Sequence, residues 1–387
     1  MKKTLFAAIL LAGTVLTGCG SGETLLAERR EIENLQLVET LGYDRTEKGR
    51  VRLSASSGPE SEELENVRVI AEGRSIPDAL RALRRHAARG SLFFSHVQCI
   101  AVGERAAREG IGELLDWAER DGGVRLDLPL FVVRGGDASE LITGSDDEQY
   151  EISAELLALQ KGVEEDGSSY AYTLADVAER LARSGCALCC CVCASETEEF
   201  APSSEGGITA LPCGFAILSD GKLTGYADER ASRGICLLTE HAGNGNMTLA
   251  VGEDSVSLTL GKCESRLRAH YDAEGKPWLE AEVHCRAAVS ESPDTPLSTE
   301  TDAVDAAFTE ELHACVRAAL GVLRAGGVDF LELERLFARA DPVRRRGIDW
   351  AAELPHLRCS IRVSGTTERS FDIRDGVSTD GGGAEDV

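Results

Sequence analysis

The first nineteen residues constrain this chain more than any other segment. Met1-Lys2-Lys3 is positively charged, a largely apolar run extends from Leu5 to Leu16, and Leu16-Thr17-Gly18-Cys19 ends on a cysteine. This order is typical of a bacterial lipoprotein signal peptide, and the apolar run is shorter than the roughly 20 residues that a membrane-spanning helix needs. We therefore predict a signal peptide over 1–19, a lipid on Cys19 and a body that folds outside the cytosol. The alternative is an ordinary secretory signal in which Cys19 is incidental.

The charge of the chain is strongly acidic. Lys and Arg number 41 against 66 Asp and Glu, which gives a formal net charge of −25. Such a surface repels phosphate backbones, which argues against nucleic acid as a partner. It also disfavours adsorption onto anionic lipid, so the lipid on Cys19 has to hold the protein at the membrane. The hydrophobic content of 43% is that of a globular protein, and the length suits two or three domains.

The cysteines are numerous but unevenly spaced. Of the 13 cysteines, five crowd into Cys186–Cys193 and the others are scattered singly. Outside the cytosol this number could indicate disulfides, yet the spacing is not that of a disulfide framework. Because cysteine packs as a small apolar residue and the cluster follows a predicted helix, we predict a buried strand without metal. A zinc or iron–sulfur site is the alternative, although the cluster lacks two separated Cys-x-x-Cys pairs and a histidine at ligand spacing.

Strands and helices alternate along the chain. Apolar spacing predicts helices over 75–90, 104–120, 150–161, 173–184, 301–324 and 329–340. Ser75, with Asp78 three residues later, predicts the N-terminal cap of the first of these helices. Strands are predicted over 32–44, 51–53, 67–70, 96–102, 126–133, 186–193, 214–218, 223–226, 256–260, 265–271, 278–289 and 357–363, with a hairpin turn at Asp220-Gly221. This order favours a multidomain α+β fold with mixed or antiparallel sheets, each flanked by helices.

A polar, acidic stretch rich in breakers over 195–207 divides the chain. We predict one or more N-terminal domains over 20–198 and a C-terminal domain over 206–366, each half with its own helix-backed sheet. Residues 367–387 form an acidic, Gly-rich tail that we predict to be disordered.

Motifs of catalysis are missing from the sequence. It contains no nucleophile elbow, zinc-protease helix, Walker loop or dinucleotide fingerprint. His96 is the histidine best placed for partial burial, either as a core or strand-end residue or in a pH-sensing or ligand role. Arg344–Arg346 is predicted to be a solvated loop, with contact to lipid headgroups or an acidic partner as the alternative. We predict no catalytic residue, cofactor or metal, although a carboxylate pair assembled from distant positions stays open.

Several short segments follow one another along the mature chain. They are Arg29-Arg30-Glu31-Ile32-Glu33-Asn34-Leu35, Leu41-Gly42-Tyr43-Asp44, Ser91-Leu92-Phe93-Phe94-Ser95-His96, Ile100-Ala101-Val102-Gly103-Glu104, Gly110-Ile111, Arg120-Asp121, Gly214 to Leu218, Asp220 to Tyr226, Arg233-Gly234, Asp329-Phe330, Trp350 and Ser364-Gly365. With the lipoprotein motif before them, this collinear set resembles the Ger(x)C family of spore germination lipoproteins, the C subunits of nutrient germinant receptors. In that comparison Arg233-Gly234 corresponds to a turn. The sequence departs from the family at Gly20-Ser21, where Trp-Asp is usual, and after Asp329.

The resemblance implies a non-enzymatic subunit of several mixed domains, without catalytic residues or cofactors. It implies a lipid-anchored protein on the outer face of the spore inner membrane. Its partners would be two integral-membrane receptor subunits, of A and B type, that sense amino acids or sugars and release ions. Two other classes remain open from the sequence: a solute-binding lipoprotein of a transport system, and a secreted hydrolase.

Overall fold

The computed structural model describes residues 35–57, 68–86, 91–144, 151–195, 209–243, 245–252, 254–291 and 301–368. The predicted signal peptide with Cys19, most of the predicted boundary over 195–207 and all but two residues of the predicted tail over 367–387 lie outside these residues. Those two, Thr367 and Glu368, end a strand, so the prediction of disorder is wrong for them. We refer to 35–195 as the first half and to 209–368 as the second half.

The described residues form thirteen strands and eleven α-helices. The strands are β1 (Leu35–Arg45), β2 (Val51–Ser57), β3 (Arg68–Gly73), β4 (Ser91–Phe93), β5 (Cys99–Gly103), β6 (Leu130–Arg134), β7 (Cys186–Ser195), β8 (Thr209–Ser219), β9 (Lys222–Ala227), β10 (Asn246–Val251), β11 (Asp254–Tyr271), β12 (Pro277–Glu291) and β13 (Arg358–Glu368). The helices are α1 (Ile76–His86), α2 (Glu104–Glu109), α3 (Gly112–Arg120), α4 (Ala138–Thr143), α5 (Ile152–Asp166), α6 (Leu174–Ser184), α7 (Glu229–Leu238), α8 (Thr301–Gly326), α9 (Leu333–Ala340), α10 (Pro342–Arg346) and α11 (Trp350–Glu353).

The larger sheet contains nine of these strands. Its order is β3-β2-β1-β5-β6-β7-β8-β9, and β4 lies off this path and pairs with β1. The central strands β1, β5, β6 and β7 are parallel, whereas β2, β3, β8 and β9 are added antiparallel. All five residues of β5 are buried, as expected of a parallel strand that is covered on both faces.

Helices cover both faces of the larger sheet, and the side chains of the central strands alternate between them. Ile100, Val102 and Leu130 point into a core with α1, α2, α3 and α6. Cys99 and Phe131, their neighbours along the strands, point into a second core with α4 and α5. The central strands are therefore covered on both faces.

The smaller sheet has the order β10-β11-β12-β13, antiparallel except for the parallel pair β12 and β13. Alternate residues of β12, such as Leu279, Ala281 and Val283, are buried in the core that also holds α7 and α8. The opposite face carries ion pairs, in which Arg268 and Arg362 each contact Glu280 and Glu282. These ion pairs connect β12 to its two neighbours, β11 and β13, across this face.

The predicted fold class, a multidomain α+β protein with helix-flanked sheets, is confirmed. The predicted Asp-Gly hairpin is also confirmed, because Asp220 and Gly221 both have positive φ (49° and 74°), as a type I′ turn requires. The predicted cap of α1 is present, with Asp78 N–H donating to Ser75 Oγ at 3.4 Å.

Three details of the prediction are wrong. The helix predicted over 104–120 is two helices, because Gly110 adopts φ +129° and the next N–H, of Ile111, donates to the Gly221 carbonyl at 2.9 Å. The strands predicted over 256–260 and 265–271 form one strand, β11. Most importantly, the prediction of a separate sheet for each half is wrong. The larger sheet contains strands of both halves, because β8 and β9 of the second half complete it.

Candidate functional site at the junction of the two halves

The described residues contain no group of three or more His, Cys, Asp and Glu side chains placed to hold a metal ion. Two surface cavities stand out, of about 520 Å³ beside α5 and about 270 Å³ between α3 and α6. Neither is lined by a serine, cysteine or histidine. Among the described helices, none combines the length and apolarity needed to cross a bilayer.

Asp44, which belongs to one of the segments quoted above, is an architectural carboxylate. It is fully buried at the end of β1 and accepts the N–H groups of Ala138 at 2.7 Å and Ser139 at 2.8 Å. Burial raises the pKa of Asp44 despite these donors. At Gly103 a Cβ would lie 2.1 Å from Asp44 Oδ1, so this glycine makes room for the carboxylate. Asp44 therefore anchors the start of α4 to the larger sheet.

Asp329 is an architectural carboxylate of the second half. Its buried carboxylate accepts the N–H groups of Leu333 at 2.8 Å and Glu334 at 2.7 Å, and the Trp350 indole N–H at 3.0 Å. Burial raises the pKa of Asp329. The quoted residues Asp329 and Trp350 thus hold the turn before α9 against α11.

Two predictions about charged side chains are wrong. His96 is exposed, because it lies in a 3₁₀ turn over Phe94–His96 and not in a strand. Arg344–Arg346 is not a solvated loop but part of α10. Only 11% of the Arg345 side chain is exposed; it pairs with Glu334 and lies 5.1 Å from the ring centre of Trp350. This arginine therefore contributes to packing.

The cysteine cluster is a buried strand, as predicted. Cys186–Cys193 lies within β7, and Cys189, Cys190 and Cys191 are fully buried. Burial raises the pKa of Cys190 to about 12, so this thiol stays protonated at neutral pH. Because β7 pairs with β8 from Cys186↔Ser219 to Ser195↔Thr209, the cluster lies where the two halves meet. We call this region the junction: β7, β8, and the contacts of Arg233, His241 and Arg183 described below.

Arg233 is the buried charge of the junction. The comparison with the family placed Arg233-Gly234 in a turn, but both residues lie inside α7 and are buried. Arg233 Nη1 donates to the Asn246 carbonyl at 2.8 Å, and Nη2 donates to Asp166 Oδ2 at 3.0 Å. Asp166 is the last residue of α5 in the first half. One guanidinium therefore connects both halves.

The backbones approach closely beside this ion pair. Gly167 has a left-handed φ of +63°, and a Cβ there would lie 2.2 Å from the Ala242 carbonyl oxygen. At Gly245 a Cβ would lie 2.1 Å from the Asp166 carbonyl oxygen. Glycine is required at both positions because a side chain would push the halves apart.

Aromatic rings from the two halves also meet at the junction. The His241 ring lies 4.2 Å from the Tyr170 ring and 5.8 Å from the Tyr172 ring, measured between centres. Burial, with a contribution from Arg180, lowers the pKa of His241. Burial raises the pKa of Tyr172 to about 12. The His241 and Tyr172 side chains are consequently uncharged near neutral pH.

A third contact crosses the junction near its other end. Arg183 of α6 donates through Nε to Glu332 at 3.0 Å and makes a second, shorter contact through Nη2. Glu332 has a left-handed φ of +56° and also pairs with Arg335 at 3.1 Å. The first and second halves are thus connected by a sheet, a half-buried ion pair, an aromatic contact and this surface pair.

Sequence reasoning missed α7, the helix on which the junction depends. Its signal was present: Asp228 is the N-cap and its carboxylate accepts the Ala231 N–H at 2.8 Å. The helix was missed because the resemblance to the family assigned Arg233-Gly234 to a turn. At Gly234 a Cβ would lie 2.0 Å from the Cys315 carbonyl oxygen, so the glycine permits close contact between α7 and α8.

Comparisons with known proteins agree with this architecture. The family model described as spore germination protein N-terminal domain matches residues 28–192, and that described as spore germination B3/GerAC like, C-terminal, matches residues 213–370. A solved structure titled crystal structure of the GerBC protein is 14% identical, with a TM-score of 0.53 over 84% of this chain and 96% of that chain. No curated protein matches significantly.

The first matched range ends within β7, and the second begins within β8. The larger sheet therefore joins the parts that the two family models describe. The class defined by the fold and the family models is that of the spore germination proteins. The chain belongs to the Ger(x)C family of these proteins.

Proposed function

We propose that this protein is a lipid-anchored, non-enzymatic C subunit of a spore nutrient germinant receptor. The observation that carries the proposal is the match of both germination-family models, in order, over most of the chain. The Leu16–Cys19 motif supports a lipid on Cys19 and a position on the outer face of the spore inner membrane. The strongly acidic body agrees with anchoring by lipid instead of by charge.

Its proposed partners are two integral-membrane subunits, of A and B type. A subunit without chemistry of its own acts by making different contacts in different states of the receptor, since coupling between sites is a free-energy difference. We propose that residues 20–198 and 206–366 are two domains that the junction holds in one arrangement. A signal that one domain receives would then reach the other through Arg233 and the paired strands β7 and β8.

Isolation of the tagged full-length protein from spore membranes tests this proposal. We expect the wild type to be acylated on Cys19, to remain in the membrane fraction and to purify in mild detergent with two multi-spanning membrane proteins. Cys19→Ala should give an uncleaved precursor or a protein lost from the membrane fraction, whereas the control Cys263→Ala should behave as the wild type. Normal maturation and membrane retention of Cys19→Ala, or purification without integral-membrane partners, would contradict the proposal.

Calorimetric titration of the purified body against amino acids and sugars separates this function from solute transport. We expect weak binding or none. One site of micromolar affinity, worth about 8 kcal/mol, would contradict the receptor-subunit proposal and favour a solute-binding lipoprotein.

A further inference from the structure

Two cysteines from different halves lie against each other inside the junction. Cys191 Sγ and Cys213 Sγ are 3.0 Å apart. In the pairing of β7 with β8, Cys190 lies opposite Phe215 and Val192 opposite Pro212, with an irregularity between these pairs that places Cys191 beside Cys213. A disulfide has an S–S distance of about 2 Å, so a shift of about 1 Å would bring these two thiols to bonding distance.

The orientation of the strands makes this pair specific. Cys191 belongs to the core on one face of the sheet, and Cys213 packs against the same core. Cys190 points into the core on the opposite face, where its sulfur accepts a hydrogen bond from Ser169 Oγ at 3.8 Å. Cys193 is the competing partner, because it is two residues along β7 on the same face and its side chain also contacts Cys213.

Access to the pair is one-sided. Cys213 is partly exposed and follows the exposed Pro212, whereas Cys191 is fully buried. A reagent from solution therefore reaches Cys213 first, and Cys191 is positioned to react second. Cys213 is therefore the candidate attacking cysteine and Cys191 the candidate resolving cysteine.

We propose that Cys191 and Cys213 form a disulfide when the protein meets a small-molecule disulfide, and that this bond joins the two halves covalently at the junction. The Cys213 thiolate attacks one sulfur of the small disulfide, releases one small thiol and forms a mixed disulfide. The Cys191 sulfur then attacks the Cys213 sulfur and releases the second small thiol. The two protein thiols lose their protons to the two released thiols, so the protein pair is oxidised and the small disulfide is reduced.

The rate of this exchange has a defined pH dependence. Its contact with Cys191 and burial raise the pKa of Cys213, so little of it is thiolate at neutral pH. Since the thiolate is the attacking species, we expect bond formation to be slow at pH 7 and to accelerate about tenfold per pH unit, with no plateau at pH 9. The bond would close a loop over residues 192–212, which contains the predicted domain boundary.

Disulfide mapping of the folded, full-length protein tests the proposal. The protein is incubated with excess oxidised glutathione at about pH 8.5, quenched with acid, alkylated and digested with a protease that cleaves after glutamate. Glu196, Glu198, Glu199 and Glu205 separate the Cys191 peptide from the Cys213 peptide, so a cross-linked pair of peptides reports the bond directly. Fragmentation of that pair identifies the cysteine of β7. The masses of the linked peptides also distinguish this bond from one between Cys263 and Cys285, which pair across β11 and β12.

We expect one linked peptide pair, joined through Cys191 and Cys213, in the wild type and in the controls Cys193→Ala and Cys359→Ala. Cys213→Ala, a change at a partly exposed position, should abolish the link without unfolding the protein. Three results would overturn the proposal: no linked pair in the wild type, a link through Cys193 in place of Cys191, or an undiminished link to Cys213 in Cys191→Ala.

Discussion

Asp44 and Asp329 are buried carboxylates with raised pKa values, a property that in an enzyme often marks catalytic groups. Here each carboxylate accepts backbone N–H groups at the start of a helix or turn. Their oxygens are engaged in holding elements together, and neither faces one of the two surface cavities described above. At the scale of single residues, the segments that resemble the family therefore define architecture.

Asp44→Asn tests this role. The amide can accept from one of the two N–H donors, but its own NH₂ group would face the other. We expect a loss of about 1–3 kcal/mol in the free energy of unfolding, measured by urea denaturation at neutral pH. The control Asp116→Asn removes an exposed carboxylate that pairs with Arg120 and should change stability little. Equal effects of the two substitutions would contradict the assignment.

His241 gives the junction a sensitivity to acid. Burial lowers its pKa in the folded protein, so the unfolded chain binds the proton more tightly. Its contribution to stability is present above the ordinary histidine pKa of about 6.5 and is lost as the pH falls from there through the lowered value. We expect His241→Phe, which keeps a ring beside Tyr170, to weaken the fall in unfolding free energy between about pH 7 and 5. The exposed control His96→Gln should leave the slope unchanged, and an unchanged slope in His241→Phe would contradict the account.

At the scale of elements, the contact between α7 and α8 supports the second half of the junction. Helix α7 is buried along nearly its whole length, and Gly234 is the point at which it meets the backbone of α8. A glycine in a helix interior normally costs stability relative to alanine. Its presence here is explained by the close approach, since no larger residue fits without displacing a helix.

Gly234→Ala should therefore destabilise the protein by about 1–3 kcal/mol through overpacking, in spite of the better helix propensity of alanine. Gly321→Ala is the matched control, because Gly321 lies within α8 and a Cβ there meets no atom within 4 Å. That substitution should stabilise by about 0.5–1 kcal/mol. Thermal and urea unfolding of both variants measure the difference, and a stabilised Gly234→Ala would show that the helices are not in close contact.

Local signals in the sequence predicted many of the elements correctly. The hairpin at Asp220-Gly221, the cap at Ser75 and the apolar strand over Cys186–Cys193 all depend on near neighbours. Features that depend on contacts between distant parts of the chain were not predicted. The glycine at position 234 of α7 is explained by the Cys315 backbone, about eighty residues further along the chain, and the place of Arg233 by Asp166 in the other half. The junction could therefore not be recognised before the fold was known.

At the scale of the whole molecule, the two halves share one structure. The chain is divided by composition over 195–207, yet β8 and β9 continue the sheet of the first half, and one core contains residues of both halves. Composition shows only where the chain is polar. Strand pairing depends instead on which sheet edges lie next to each other in the folded protein. Because one sheet and one core contain residues of both halves, we expect the halves to unfold together.

The three tryptophans allow this unity to be measured. Trp117 lies in the first half, and Trp278 and Trp350 lie in the second. In variants that keep a single tryptophan, we expect fluorescence to report the same urea midpoint from Trp117 as from Trp350, since a shared core unfolds cooperatively. Circular dichroism of each variant corrects for changes in overall stability. Two separated midpoints within one variant, one by fluorescence and the other by circular dichroism, would mean that the halves unfold independently.

The germination response of spores tests the central claim most directly. The gene is deleted in its spore-forming host and replaced by the wild type or by Cys19→Ala, and the loss of optical density is followed after addition of amino acids or sugars. We predict that deletion abolishes the response to at least one nutrient, that the wild type restores it, and that Cys19→Ala does not. Germination by a nutrient-independent trigger should be unchanged in all strains. A full response to every nutrient in the deletion strain, or full restoration by Cys19→Ala, would contradict the account.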